Sequence, residues 1–502
     1  MSIDSAAQHT QIAIIGSGFS GLGAVIKLLG AGFRDLVVLE RGDEVGGTWR
    51  DNAYPGCACD VESHLYSFSF APNPNWTRKF APQAEIQQYL CDCATKFGVR
   101  PYLRLNTELL GGRWDEGAQL WRLDTSAGPR TANIVISATG PLSEPNIPDI
   151  KGLSTFAGTT FHSARWDHEH NLDGERVAVI GTGASAIQFL PHVQRHAAHL
   201  VSFQRTAPWI APRLDGPITE KERRLLRWMP MRRRVLRARI YWLRELFFGP
   251  GLLGDEKKRR LGERAAGAHL KRQVPDQELR AKLVPKYKYG CKRILSSDDF
   301  YPAIAQPNVA VNTEGVSEIR PHSVVDGAGA EHPVDTIILG TGFHVTDMPI
   351  ATLLHDAAGR SLAEQWQGTP ETYLGTTVAG FPNLFMLVGP NTGTGHTSQI
   401  YMIESQLTYV VRCLRRMRRR GIASVEVKPD VQHAFNAEVQ RKMSTTVWTT
   451  GGCKSWYLAA NGQNTTLWPD AAWRYRRATY RFDASAYVER VVRDVAGTVA
   501  EG

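Results

Sequence analysis

Residues 156–186 read FAGTTFHSARWDHEHNLDGERVAVIGTGASA, and two patterns meet inside them. The second half is an apolar strand, Arg176 to Ile180, then Gly181-x-Gly183-x-x-Ala186, then a stretch with helical character. Strand, glycine-rich turn and helix in that order open a dinucleotide-binding βαβ unit. The first half, Phe156-x-Gly158-x-x-x-His162-x-x-x-Trp166-Asp167, spaces an aromatic, a glycine and a histidine in a way that core packing alone does not produce. His162 reads as a structural residue, hydrogen-bonded where two domains meet, and Trp166 as an anchor.

A similar unit lies upstream. Ile12 to Ile15 form a short apolar strand before Gly16-x-Gly18-x-x-Gly21, a helix follows, and a second strand, Leu36 to Leu39, ends in Glu40. One glycine makes the tight turn, one lets a diphosphate approach the backbone, and one lets helix pack on strand. The diphosphate then rests on the helix N-terminus, where free N–H groups and the dipole favour an anion. Glu40 lies about 20 residues beyond the turn, where an acid accepts hydrogen bonds from an adenosine ribose. A carboxylate also repels a 2′-phosphate, so this site suits FAD or NAD. The second unit leaves its next strand, His199 to Phe203, through Gln204-Arg205-Thr206. An arginine there can pair bidentately with a 2′-phosphate, which is the logic of NADP preference.

Two buried strands with similar endings, Asn133 to Gly140 (NIVISATG) and Asp335 to Phe343 (DTIILGTGF), support two related nucleotide folds. The expected fold is therefore α/β, with two Rossmann-like dinucleotide-binding domains. Residues 1–150 and 343–502 would form a discontinuous FAD domain and residues 151–342 an NADP domain. Leu214 to Lys286 breaks the βαβ rhythm and reads as a helical insertion in the NADP domain, with breakers at Pro230 and the Gly249-Pro250-Gly251 turn. Gly46 to Asp60 follows the first unit as an ordered loop rather than a helix.

Composition bounds the rest. The chain has 502 residues, 42% hydrophobic and 22% charged, the balance of a soluble globular protein. The start, MSIDSAAQHTQ, lacks a basic region followed by an apolar core, so a cytoplasmic location is expected. No apolar run approaches the ~20 residues needed to span a bilayer. Reduced thiols are expected from the seven cysteines, and the odd count leaves at least one free. Cys57-x-Cys59 and Cys91-x-Cys93 lack a second half with zinc spacing, so no metal is expected. Much of the net charge of +10 falls between Lys221 and Lys286, which reads as a solvated helical face rather than a nucleic-acid site. Within it, Arg237, Tyr241, Trp242 and Arg244 to Phe248 are amphipathic and could touch a membrane surface or a partner; core packing is the preferred reading. The tryptophan-rich C-terminal part reads as packing. Disorder is expected only at the two ends.

The assembled motifs resemble class B flavoprotein monooxygenases and, more narrowly, type I Baeyer–Villiger monooxygenases. Phe156 to Asp167 matches that family's FxGxxxHxxxW(P/D) fingerprint at every fixed position, whereas N-oxygenating relatives end in an aromatic followed by Lys or Arg. Gly46-Gly47-x-Trp49, Tyr54-Pro55-Gly56 and Asp60 match a second family pattern. The resemblance covers nearly the whole chain. It implies FAD in the first site and NADPH in the second. Arg293 resembles the family's active-site arginine and Asp60 the aspartate that pairs with it. Arg205, Thr206 and Lys292 resemble NADP-phosphate ligands, and Trp456 resembles a tryptophan near cofactor and substrate. Further cofactor contacts are expected from Gly47, Thr48, Trp49, Asp60 and Tyr66 on the FAD side. On the NADP side they are expected from Thr182, Ser185 and Gln188. The loop Gly389-Pro390-Asn391-Thr392-Gly393 departs from the form of cyclic-ketone members, which leaves the substrate open.

The implied reaction inserts one atom of O2 next to a ketone carbonyl, through a C4a-peroxyflavin, to give an ester or lactone. Arg293 suits it, because a guanidinium stays cationic and presents a rigid donor fork to an oxyanion. The alternative, an N- or S-oxygenating flavin monooxygenase, shares both cofactors but not Trp166-Asp167 or the Asp60/Arg293 pair. A flavin disulfide reductase would need two redox-active cysteines beside FAD, and Cys57 and Cys59 are too close in sequence for that loop. A non-catalytic nucleotide-binding protein would not need Arg293.

Overall fold

Strand Gln8–Ile15 runs through an eight-stranded sheet because its second half is apolar on both faces, the pattern of a strand covered on each side. The computed structural model describes residues 7–459 and 461–491, and the two ends, where disorder is expected, lie outside them. Ile12 to Ile15 are at most 5% exposed. A fully buried Ile, Val or Leu is worth about 1.5–3 kcal/mol, so these short strands are held by burial more than by strand propensity. Leu36–Leu39 and Arg130–Ser137 flank the first strand in parallel, and Leu384–Met386 joins the same sheet beside Arg130–Ser137.

The second sheet is wholly parallel. Its spatial order is Val309–Asn312, His199–Phe203, Arg176–Ile180, Thr336–Leu339 and Thr159–His162. The internal echo is exact at the hydrogen-bond level where strands meet the glycine turns. Ala138 N donates to Ile15 O as Gly340 N donates to Ile180 O, each at 2.8 Å. The fingerprint lies on the edge strand. A Cβ on Gly158 would run into the Asp335 carbonyl, so only glycine lets Thr159–His162 dock beside Thr336–Leu339. His162 is buried against Phe343, where the chain returns to the first sheet, and its Nδ1 accepts from Ala164 N at 3.1 Å. Burial lowers its pKa to about 4, so the ring is neutral. Trp166 packs between Phe161 and Phe189, and Asp167 caps the next turn by accepting from Glu169 N and His170 N.

Five expectations need correction. Thr48–Asp51 forms one helical turn inside the expected loop, entered through Gly47 at φ +54°. Gly249-Pro250-Gly251 does not break the insertion. A π turn, Arg244–Phe248, carries helix Pro230–Leu243 into Gly249–Leu252, with Pro250 in the first turn, where its missing N–H costs nothing. Core packing holds for Tyr241, stacked on Tyr401 at 4.7 Å, but Trp242, Leu243 and Leu246 to Phe248 are exposed. The C-terminal tryptophans also divide, Trp448 and Trp468 buried and Trp456 and Trp473 exposed.

The last correction concerns the thiols. Cys291 and Cys453 form a disulfide, and the other five cysteines are free. Their segments meet because Lys288 N donates to Gly451 O and because Gly451 has no side chain; a Cβ there would overlap Cys291. No sequence spacing reports such a meeting. Thiol titration of the denatured protein is expected to give five groups without reductant and seven with it. Seven in both conditions would refute the pairing.

Candidate active site

Both glycine turns open into one cavity of about 1660 Å³. It lies at the carboxyl ends of the parallel strands, where open α/β sheets bind ligands.

At the first turn, Gly16 sits at φ +99° with a would-be Cβ 2.8 Å from Ala138 O, and a Cβ on Gly21 would strike the Gly16 carbonyl. Gly18, by contrast, has nothing nearer than 3.7 Å, leaving its backbone open to the cavity. It caps helix Phe19–Gly30 without any side-chain hydrogen bond, so the first N–H groups remain available to an anion. Glu40 accepts from Ser17 N and Oγ through Oε2, and from Gly42 N and Arg50 Nη1 through Oε1. Burial alone would raise its pKa; Ser17 and Arg50 override that and hold it below the usual carboxylate value. A carboxylate has about four acceptor sites, so a ribose hydroxyl must displace one of these donors. Arg50 has Asp51 and Glu44 O as other partners and is the one able to yield. The arrangement fits an adenine dinucleotide without a 2′-phosphate.

The second turn repeats the design. Gly181 lies at φ +112° against the Gly340 carbonyl, Gly183 is open, and Ser185 caps helix Ala186–His196 with no side-chain bond. Thr182 Oγ1 donates to Thr206 O at 3.3 Å, tying the turn to the strand exit. Arg205 is exposed to the cavity and Lys292 half-buried within it. The Lys292 pKa is lowered, first by burial and then by the charge of Arg205, with no carboxylate contributing. Two unneutralised cations beside an open helix N-terminus fit a phosphorylated dinucleotide.

Arg293 meets Asp60 in the same cavity. Its Nε and Nη2 both donate to Oδ2 of Asp60, at 2.9 and 2.6 Å, which leaves Nη1 free. Burial would raise the Asp60 pKa, but Arg293, Arg244 and Arg213 together lower it, so the carboxylate is ionised at any working pH. The same charge of Asp60 raises the pKa of Arg293. Two of these arginines carry no sequence signal. Arg213 Nη2 donates to Cys59 O at 2.9 Å. Arg244 binds Glu62 Oε2 at 2.6 Å and Asp60 O at 3.1 Å. They hold the backbone on both sides of Asp60.

The other expected residues divide. Gly47, Thr48, Trp49, Tyr66 and Ser185 reach the cavity wall, and Trp49 Nε1 donates to Tyr66 Oη at 3.0 Å. Gln188 lines it too, yet its amide is spent bridging the two halves, accepting from Tyr54 Oη and donating to Ala58 O, both at 3.0 Å. Trp456 stands 43% exposed at the mouth against Tyr457. Ala186 is buried in the helix start. Phe156, Gly158, His162, Trp166 and Asp167 are absent from the cavity wall.

A family described as flavin-binding monooxygenase-like matches residues 9–223. A protein of Streptomyces coelicolor named Baeyer-Villiger monooxygenase is 50% identical over 96% of this chain and 92% of its own length. One of the same name from Pseudomonas aeruginosa is 49% identical, again over 96% and 92%. Among solved structures, OTEMO in complex with FAD and NADP superposes with a TM-score of 0.87 at 26% identity, over 96% of this chain and all (100%) of that one. A closed crystal structure of cyclohexanone monooxygenase superposes with a TM-score of 0.86 at 26% identity, over 97% and 100%.

Proposed function

The chain belongs to the Baeyer–Villiger monooxygenases, and from that premise we propose how its residues divide the work of the reaction. It is an FAD- and NADPH-dependent monooxygenase that inserts one atom of O2 next to a ketone carbonyl, giving an ester or lactone. Bound FAD and NADPH supply the hydride and oxygen-transfer chemistry. The observation that carries the assignment of roles is the Arg293–Asp60 pair inside the one cavity both glycine turns share.

Gly16, Gly18, Gly21 and Glu40 hold FAD. Gly181, Gly183, Arg205, Thr206 and Lys292 hold NADPH, the two cations on its 2′-phosphate. Arg293 directs its free Nη1 donor to negative charge as it develops on the oxygen being transferred and on the carbonyl oxygen. Asp60 fixes the guanidinium plane through two bonds to one oxygen, so little reorganisation is needed during reaction. Trp49, Tyr66 and Trp456 would wall the site against water. His162 acts away from the cavity, against Phe343 where the chain leaves the second sheet, and Trp166 anchors its edge strand between Phe161 and Phe189. The strand membership of those sheets supports an FAD part of residues 1–150 and 343–502 and an NADP part of 151–342, with the insertion at about 214–286. N- or S-oxygenation finds no observation in its favour.

Anaerobic NADPH should bleach the flavin of the purified protein, and O2 with a ketone panel should then yield ester in step with NADPH consumed. Protein without flavin, or hydrogen peroxide as the sole product with every ketone, would overturn the reading. Hydrogen bonds to charged groups are worth about 1.5–3 kcal/mol, so Arg205→Ala should raise KM for NADPH roughly 10- to 100-fold. KM for NADH should change little; equal loss for both would remove Arg205 from the phosphate.

A further inference from the structure

The helical insertion has two faces, and only one is used by the rest of the protein. On the inner face of helix Pro230–Leu243, Arg237 Nη1 donates to the carbonyls of His64, Leu65 and Ser67, and Tyr241 stacks on Tyr401. On the outer face, Met231, Val235, Ala238 and Trp242 recur at four- and three-residue spacing and are all exposed, which places them on one stripe. Leu246 and Phe247 of the π turn continue it, at 55% and 63% exposure. Trp228 stands beside it, 86% exposed. Ten of the nineteen exposed large hydrophobic side chains found among the described residues fall between 228 and 261. An apolar concentration of that kind on a surface marks an interaction site.

Charge identifies what it meets. Residues 220–261 carry fourteen Lys and Arg against five Asp and Glu, almost the whole excess behind the net charge of +10. Around the helix, Arg232 and Arg239 flank the apolar stripe on one side and Arg234 on the other, and all three are exposed. Lys258 lies over the Phe247 ring, 5.9 Å from its centroid. An apolar stripe with tryptophan and phenylalanine between rows of arginine is the make-up of a helix lying in a membrane interface. Its apolar side chains enter the acyl boundary while the flanking arginines extend to headgroups. A second copy of the chain is a poor occupant. A two-fold interface sets the same patch against itself, bringing both sets of arginines together.

We propose that the outer face of the insertion docks on an anionic lipid bilayer, with the stripe Met231–Val235–Trp242–Phe247 inserted and Arg232, Arg234 and Arg239 on the headgroups. No helix among the described residues is long and apolar enough to cross a membrane, so the contact is peripheral. The docked face is the outer side of the helix whose next residue, Arg244, holds the Asp60 backbone, which puts the cavity close behind the lipid surface.

The test uses the FAD-loaded protein and extruded vesicles, either phosphatidylglycerol and phosphatidylcholine in equal parts or phosphatidylcholine alone, read by co-sedimentation at low salt. Binding is expected to be at least roughly tenfold greater with the anionic vesicles. The variant W242S/F247S/F248S keeps every charge and should lose most of that binding while retaining its melting temperature. R232Q/R234Q/R239Q keeps the apolar stripe and should lose the preference for phosphatidylglycerol. Three results would overturn the proposal: no binding to anionic vesicles, parental binding by the serine variant, or a dimer in light scattering that the serine variant abolishes. The last assigns the face to a second copy.

Discussion

Replacing Arg293 with alanine is expected to cut ester formation by roughly 10²–10³-fold, the cost of losing one preorganised donor to a developing oxyanion. Flavin reduction by NADPH should persist, because Arg205, Lys292 and both glycine turns are untouched. The variant should therefore still consume NADPH and O2 while releasing hydrogen peroxide in place of ester. Lysine at the same position keeps the charge but not the fork that lies against Asp60, so it should restore only part of the product. Asp60→Asn removes the charge that holds the fork, yet Arg213 and Arg244 still grip the backbone on either side. Its loss should be smaller than that of Arg293→Ala. Ester at the parental rate from Arg293→Ala would remove that residue from the chemistry.

Glu245→Ala should be the most destabilising of the substitutions considered, at about 3–5 kcal/mol, the usual cost of deleting one partner of a buried pair. Glu245 and His396 are each 2% exposed in their side chains and meet at 3.0 Å. Glu245 also accepts from Tyr241 Oη at 2.7 Å and from Ala472 N at 2.9 Å. Alanine strands all three donors in the interior, whereas glutamine preserves an acceptor and should cost less. The sign of the pH dependence follows from the carboxyl. Burial would raise its pKa, but His396, Tyr241 and Ala472 lower it below its ordinary 4.5. The stabilisation is thus complete above pH 4.5 and is lost as pH falls through the folded value. The gap between parent and Glu245→Ala in chemical denaturation should accordingly narrow in that acid range. A constant gap would mean that packing, not charge, holds the insertion to the loop of His396.

Much of the fold was legible because it is written in local terms. Ile12 to Ile15 and Arg176 to Ile180 announce buried strands by continuous apolar runs, and the glycines between strand and helix answer to backbone conformation. Gly16 and Gly181 do occupy positive φ against a neighbouring strand's end. Glu40 lies one residue beyond its strand and Arg205 two beyond the matching strand, so the difference between the two units is written at the strand exits. Where the reading erred, a long-range contact decided. Trp242 and Phe247 were expected in the core because helical spacing marks an apolar stripe without saying which stripe faces inward. Arg237 and Tyr241 took the inner side, leaving the larger apolar surface outside.

By itself the sequence determined two Rossmann-like units, their order and the fingerprint of a family that uses FAD and NADP. Each of these depends on residues within about 30 positions of one another, the span of a βαβ unit. Family resemblance alone paired Asp60 with Arg293, 233 positions apart; only the tertiary structure decided the geometry of that pair, that Arg213 and Arg244 hold the backbone around Asp60, and that Cys291 reaches Cys453. Such meetings arise from how whole elements pack, and backbone periodicity carries no record of them.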